Sequence, residues 1–387
     1  MTELATILQL EKPDILIRQL EQAGYAFAVW KKPGDEDIRT FISLKEVTQL
    51  ESFQLDDLEA GFLINAYSDN HPIKPFHIAA DLIIHSNEIA VAPNVSDSQI
   101  DAFKERIKDT RLIKNKGNNP KNEDTFNSFE QSVSKAIAEI KKGTFEKVVL
   151  SRYRDETLPD NFSSWSFFQT ICEKYTNAFC SISHIPGKGL WIGATPELMI
   201  SDNSERFKTV SLAGTKPLSD GQPLSEIAWT QKEIEEQAMV SRYVINCFKK
   251  IRLREFHEHG PKTVKAGSLA HLKTEFIVNY EEVQFEELAD QMLELLHPTS
   301  AVCGMPIDQT KPWIQQEEQY DREFYSGFLG PVNFENSTDL YVNLRCMKMI
   351  NGNVRFFAGA GITEDSDPHK EYEETEMKMN ILKSKLL

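Results

Sequence analysis

Short apolar runs closed by tight turns set the first constraint on this chain. Residues 178–185 and 190–193 are two such runs, separated only by Pro186-Gly187-Lys188-Gly189. A connection that short joins antiparallel strands, because a parallel pair needs a crossover of a dozen residues or more. Residues 81–85 and 88–92 repeat the arrangement around Ser86-Asn87, a two-residue hairpin signal. Further strands are expected at 25–30, 61–67 and 145–153. Helix patterns interleave with them. Pro13 and Gly24 bracket one helix. Phe129, Val133, Ala136, Ile137 and Ile140 share one face of another, before the stop at Gly143. Residues 163–175 and 230–250 read as two more. Hairpins mixed with helices predict an α+β fold rather than a doubly wound sheet.

The chain has 387 residues, 40% of them hydrophobic, which is enough for a large core. Its net charge of −16 repels nucleic-acid phosphates and anionic lipid headgroups, so neither partner is expected. The same field repels a small dianion, and any anion site must be built locally from cations or a metal. Cys172, Cys180, Cys247, Cys303 and Cys346 are odd in number and form no CxxC pair. They read as buried thiols in a reducing compartment, not as a zinc site or disulfide framework. Met1-Thr2-Glu3-Leu4 lacks the basic-then-apolar pattern of a signal peptide, and no run nears the roughly 20 apolar residues of a membrane span. A cytoplasmic protein is expected. Residues 114–122 are polar and turn-rich, the best linker or loop candidate. The β-rich stretch before them carries no catalytic constellation.

Four features can carry chemistry. Lys147 lies in Lys147-Val148-Val149-Leu150-Ser151-Arg152, where strand alternation puts it on one face with Val149 and Ser151. It is an edge charge or, if desolvated, a general base. Glu197 follows a proline in Gly193-Ala194-Thr195-Pro196-Glu197-Leu198, and is either exposed or, if buried, a general acid. Glu236 precedes the stripe Met239, Val240, Tyr243, Val244, Cys247 by three and four residues, which puts it on the apolar face of its helix. Glu371, Glu374 and Lys378 repeat that spacing ahead of Ile381 and Leu382. Two such helices supply either a hard-metal site with few protein ligands, as Mg2+ prefers, or two acidic first turns favoured by the helix dipole. Lastly, Leu212-Ala213-Gly214-Thr215 and Phe357-Ala358-Gly359-Ala360-Gly361 are glycine loops that admit close approach of a carboxylate to backbone N–H groups. Arg345 alternates with Tyr341 and Asn343 on an inward strand face, suited to bidentate carboxylate recognition.

Taken in order, these strings resemble the chorismate-binding enzyme family, which includes anthranilate, aminodeoxychorismate, isochorismate and salicylate synthases. His271-Leu272-Lys273-Thr274, Leu296-His297-Pro298-Thr299 and Asp321-Arg322-Glu323-Phe324-Tyr325-Ser326-Gly327 add to the match, which runs from about Asn127 to Leu387. Residues 1–125 are then a divergent N-terminal β-rich half and 126–387 the chorismate-binding catalytic region. The resemblance implies large antiparallel sheets packed face to face with helices outside. It implies Mg2+ on Glu236 and Glu374, supported by Glu233 and Glu371. It also implies substrate contacts from Gly214, Thr215, His271, Tyr325, Arg345, Gly359, Ala360, Gly361 and Lys378. Lys147 together with Ala213 matches the water-using members. Lys147 would activate water for attack at C2 of chorismate while Glu197 protonates the departing C4 hydroxyl, giving isochorismate for menaquinone or siderophore synthesis. No amidotransferase partner and a monomer are implied. The rivals are a salicylate-forming enzyme and a non-catalytic chorismate-binding protein. Gln237, where the family has histidine, and Cys303, where it has a small residue, depart from the pattern.

Overall fold

The computed structural model describes residues 4, 7–8, 12–67, 73–86, 88–113, 117, 120, 125–219, 221–267 and 269–386. The expected linker at 114–122 and Asn87 of the hairpin turn fall largely outside them. Among the described residues the strands form two sheets, of ten and eight strands, with every pairing antiparallel. Across the larger sheet the order is Gly304–Met305, Lys147–Thr157, Asn353–Ile362, Cys346–Ile350, Gly189–Thr195, Phe179–Ile185, Phe27–Lys31, Arg39–Ile42, Leu82–His85, Glu88–Val91. Across the smaller it is His257–Ala266, Leu269–Asn279, Arg206–Pro217, Leu198–Asn203, Ser337–Val342, Phe328–Val332, Gly61–Asn65, Phe76–Ala79. The N-terminal strands therefore extend both sheets at one end.

Period-2 alternation decides which core each side chain enters. Ala26, Ala28 and Trp30 point between the sheets, where they meet Phe62, Ile64 and Ile78 of the other sheet. Phe27 and Val29 point outward, into a second core with Leu16, Leu20, Phe168 and Phe103 of three covering helices, Pro13–Gln22, Ser164–Lys174 and Asp97–Asp109. A third core packs Gln231–Lys250 and Leu288–Leu296 against the smaller sheet. The face-to-face architecture expected from the resemblance is the one observed. No helix among the described residues is long and apolar enough to cross a membrane. All five cysteines are free and buried.

One stripe differs from expectation. On Gln231–Lys250 the buried residues are Gln237, Val240, Val244, Cys247 and Phe248, while Met239 is half-buried at the margin. Gln237 enters the core because its amide has partners there: Nε2 donates to Ser211 Oγ (2.9 Å) and Thr274 Oγ1 (3.0 Å). Apolar periodicity cannot register a polar residue buried this way.

Phe179 of the larger sheet and Tyr341 of the smaller stack between the sheets at 4.2 Å with an 11° interplanar angle. Phe179→Ala is expected to cost about 3–5 kcal/mol of stability, read as a shift in the urea unfolding midpoint at constant slope.

Candidate active site

Two places where the chain changes sheets form the floor of the site. Gly189–Thr195 belongs to the larger sheet and Leu198–Asn203 to the smaller, so Pro196 and Glu197 span the gap. Ser337–Val342 and Cys346–Ile350 reverse the step, with Asn343, Leu344 and Arg345 between them. The crossings are tied together. Ala194 N–H donates to Arg345 C=O (3.1 Å), Val342 N–H to Glu197 C=O (2.9 Å), and the Thr195 hydroxyl to Val342 C=O (2.6 Å). Alternation places Arg345 on a strand face with Tyr341 and Asn343. The strand instead stops at Val342, and Arg345 adopts a left-handed backbone (φ 47°) at the crossing.

Both crossings line one cleft. Glu197, Gly214, Thr215, Glu236, His271, Tyr325, Arg345, Gly359, Gly361 and Lys378 line it. These come from both sheets and from two helices, Gln231–Lys250 and Pro368–Lys383. The two glycine segments are stretches of strand, not loops. Gly214 sits at a register break in Arg206–Pro217 with φ +67°, a conformation side chains resist. A Cβ on Gly361 would stand 2.9 Å from Glu236 Oε1 and 3.0 Å from Lys147 Cε, so its absence makes room for that pair.

Lys147 is buried behind this wall, with Nζ 2.9 Å from Glu236 Oε1. Burial pushes Glu236 up, but Lys147, then Lys378 and Lys232, outweigh it and hold the carboxyl below its ordinary value. Glu197 is buried as well. Burial pushes its carboxyl up to about 7, against the lowering effect of Lys147, Lys378 and Arg345. The Thr299 hydroxyl adjoins it without a well-aligned hydrogen bond. Glu197 is therefore a carboxyl that titrates near neutral pH, within electrostatic reach of Lys147 and Lys378.

His271 Nδ1 lies 2.7 Å from Gly214 C=O, which can only accept, so Nδ1 carries the proton. Nε2 then accepts from Arg345 Nη2 at 2.6 Å. Burial, with Arg345 beside it, pushes the imidazole down to about 3. Arg345 donates also to Ala266 C=O (3.1 Å) and has no carboxylate ion pair among the described residues. Burial lowers it to about 10, so it stays cationic at neutral pH, a buried positive charge open to an anion. Lys378 donates to Gly359 C=O (2.9 Å) and pairs with Glu374 (2.7 Å). Tyr325 stacks on Phe357 at 5.3 Å, its backbone tied through the Asn343 amide to Phe324 C=O (2.9 Å).

The remaining residues singled out from sequence lie off the wall. The Ala360 methyl packs into the third core with Val148, Leu150 and Ile362. Glu233 caps its helix, accepting from Thr230 N–H (2.7 Å). Glu371 is buried and accepts from Lys232 Nζ (2.9 Å). Burial raises Glu371; Lys232 opposes this and Glu374 adds to it. Lys232, Thr299, Ala301 and Val302 were not singled out. Lys232 stands four residues before Glu236, one helical turn away, and that spacing could have found it.

A family model described as chorismate binding enzyme matches residues 75–387. Isochorismate synthase EntC of Escherichia coli (strain K12) is 30% identical over 263 residues, 66% of this chain and 66% of the relative, so the match spans just under two thirds of its length. Isochorismate synthase MenF of Bacillus subtilis (strain 168) is 27% identical over 66% of this chain and 55% of its own. Among solved structures, MenF, the menaquinone-specific isochorismate synthase from Escherichia coli, superposes with a TM-score of 0.77 at 20% identity, over 96% of this chain and 91% of that one. Anthranilate synthase component I from Streptococcus pneumoniae TIGR4 shares the fold at a TM-score of 0.67 and 17% identity, over 93% and 90% of the two chains. With the family model spanning most of its length, this chain belongs to the chorismate-binding enzyme family.

Proposed function

We propose that this chain is an isochorismate synthase that uses water as its nucleophile. The observation that carries the reading is Glu197, a buried carboxyl at about 7 in a cleft that Glu236 also lines, with Lys147 paired to Glu236 just behind the wall. Lys147, as the neutral amine, takes a proton from water as the water oxygen bonds to C2 of chorismate, and that proton later restores Glu197. The ring double bonds shift, the C4–O bond breaks, and Glu197 delivers its proton to the departing hydroxyl. One water enters and one leaves, so the net change is an isomerisation. General acid–base catalysis at each end contributes about 10²–10⁴-fold. Arg345 and Lys378 hold the two substrate carboxylates, and Tyr325 and the Gly359–Gly361 backbone flank the ring. Neutral His271 orients Arg345 without adding charge. Ala213 lines the cleft with a methyl where a lysine nucleophile would stand, and its combination with Lys147 supports water as the nucleophile.

Mg2+ fits this donor set. Glu236 and Glu374 present hard oxygens, and the repulsion between Glu371 and Glu374 is of the kind a divalent ion relieves. Among the described residues no three acidic, His or Cys side chains converge on a ready-made metal site, so water would have to complete the shell of any ion held there. Glu236 and Glu374 would hold it, with Glu371 and Glu233 behind them. When bound, it offsets charge on the carboxylate conjugated to the diene.

Lys147→Ala and Glu197→Ala are each expected to lower kcat by about 100-fold or more, with unchanged circular dichroism; wild-type rates in both would refute the roles. Since the acid must be protonated, the kcat/KM profile should bend near pH 7, and a profile with no inflection between about pH 6 and 8 would contradict this. Glu236→Gln should raise the Mg2+ concentration for half-maximal rate by about tenfold or more; an unchanged titration removes Glu236 from the ligand set.

A further inference from the structure

The segment that gives Tyr325 to the cleft also contains Arg322, which is buried and does not line it. Arg322 pairs with Glu318 through Nε at 2.7 Å, both side chains almost fully enclosed. Buried pairs of this kind can often be replaced by apolar side chains without loss of stability. Stability alone therefore leaves the pair unexplained.

The rest of the guanidinium supplies an explanation. Nη1 donates to Val302 C=O (2.8 Å) and Nη2 to Val149 C=O (2.8 Å), and both valines are cleft residues. The Val149 carbonyl is open to it because the ladder beside it breaks. Val149 N–H donates to Cys303 C=O (2.9 Å), but Cys303 N–H turns back to Thr299 C=O (3.0 Å) and does not return the bond. Arg322 takes the acceptor that the turn left over. Glu318 meanwhile accepts from Ser151 N–H (2.6 Å) and its hydroxyl (3.0 Å), two residues further along the strand. One ion pair thus fastens the strand that carries Lys147 to the turn 299–302, whose first hydroxyl adjoins Glu197.

We propose that Arg322, braced by Glu318, is a positioning residue that sets the separation between Lys147 and Glu197 across the bound ring. This rests on the water-adding reading above. The test compares wild type with Arg322→Lys and with the double variant Glu318→Leu, Arg322→Met, which fills the volume but cannot hold two carbonyls. Thermal melting, kcat and KM for chorismate are measured with Mg2+ present. The double variant is expected to melt cooperatively, to lose on the order of 100-fold in kcat, and to keep KM within about threefold, because Arg345 and Lys378 bind the substrate elsewhere. Arg322→Lys should show the same split more weakly. A folded double variant with wild-type kcat would overturn the inference and leave the pair purely structural. Should the double variant not fold, a folded Arg322→Lys with wild-type kcat would overturn it equally. Wild-type protein that does not convert chorismate would sink the activity reading instead.

Discussion

The structure depends on two sheet crossings that hydrogen-bond to one another. Glu197 and Arg345 occupy neighbouring gaps between the sheets, and the backbone bonds Ala194–Arg345 and Val342–Glu197 fix one crossing against the other. Buried backbone groups must find partners, and here each crossing supplies the other's. A residue placed this way has little freedom, so an acid and a cation are delivered to one cleft by main-chain geometry. Preorganised charge of that kind needs no reorganisation during reaction, which is where such sites gain most.

The electrostatics follow from that placement. The protein carries a net charge of −16, yet its cleft gathers Arg345, Lys378 and, just behind the wall, Lys147. Each lysine near the acids holds one carboxylate: Lys147 with Glu236, Lys232 with Glu371, Lys378 with Glu374. Arg345 alone among these cations is bonded to a neutral imidazole and a carbonyl instead, which leaves its charge for a ligand. Glu197 escapes neutralisation by a direct partner and is pushed up by burial. Two carboxyls in one cleft thus reach opposite protonation preferences, Glu236 held low by its lysines and Glu197 held high by burial.

Much of the fold was legible because its signals are local. The tight turn at 186–188 and the stop at Gly143 each encode their own geometry. The crossings were not legible. Strand alternation continues through Val342 toward Arg345 with no mark that the chain leaves one sheet for the other, so Arg345 was read onto a strand it does not occupy. Gly214 was visible as a glycine but not as a bulge within a strand, since register is a property of the pair Arg206–Pro217 and Leu269–Asn279. Gln237 was hidden because burial of an amide depends on Ser211 and Thr274, far away in sequence. The site residues themselves were legible chiefly as a set of ordered motifs. Spacing alone left Lys147 and Glu197 undecided between surface charge and catalyst, and tertiary burial removes the surface reading for both.

The central claim is that these crossings face a buried acid toward water activated by Lys147 across one ring. Running the reaction with Mg2+ in water enriched in oxygen-18 and locating the label by mass spectrometry tests it most directly. Isochorismate should carry one heavy oxygen, on its C2 hydroxyl. Isochorismate formed without the label, by internal transfer of the original hydroxyl, would contradict it.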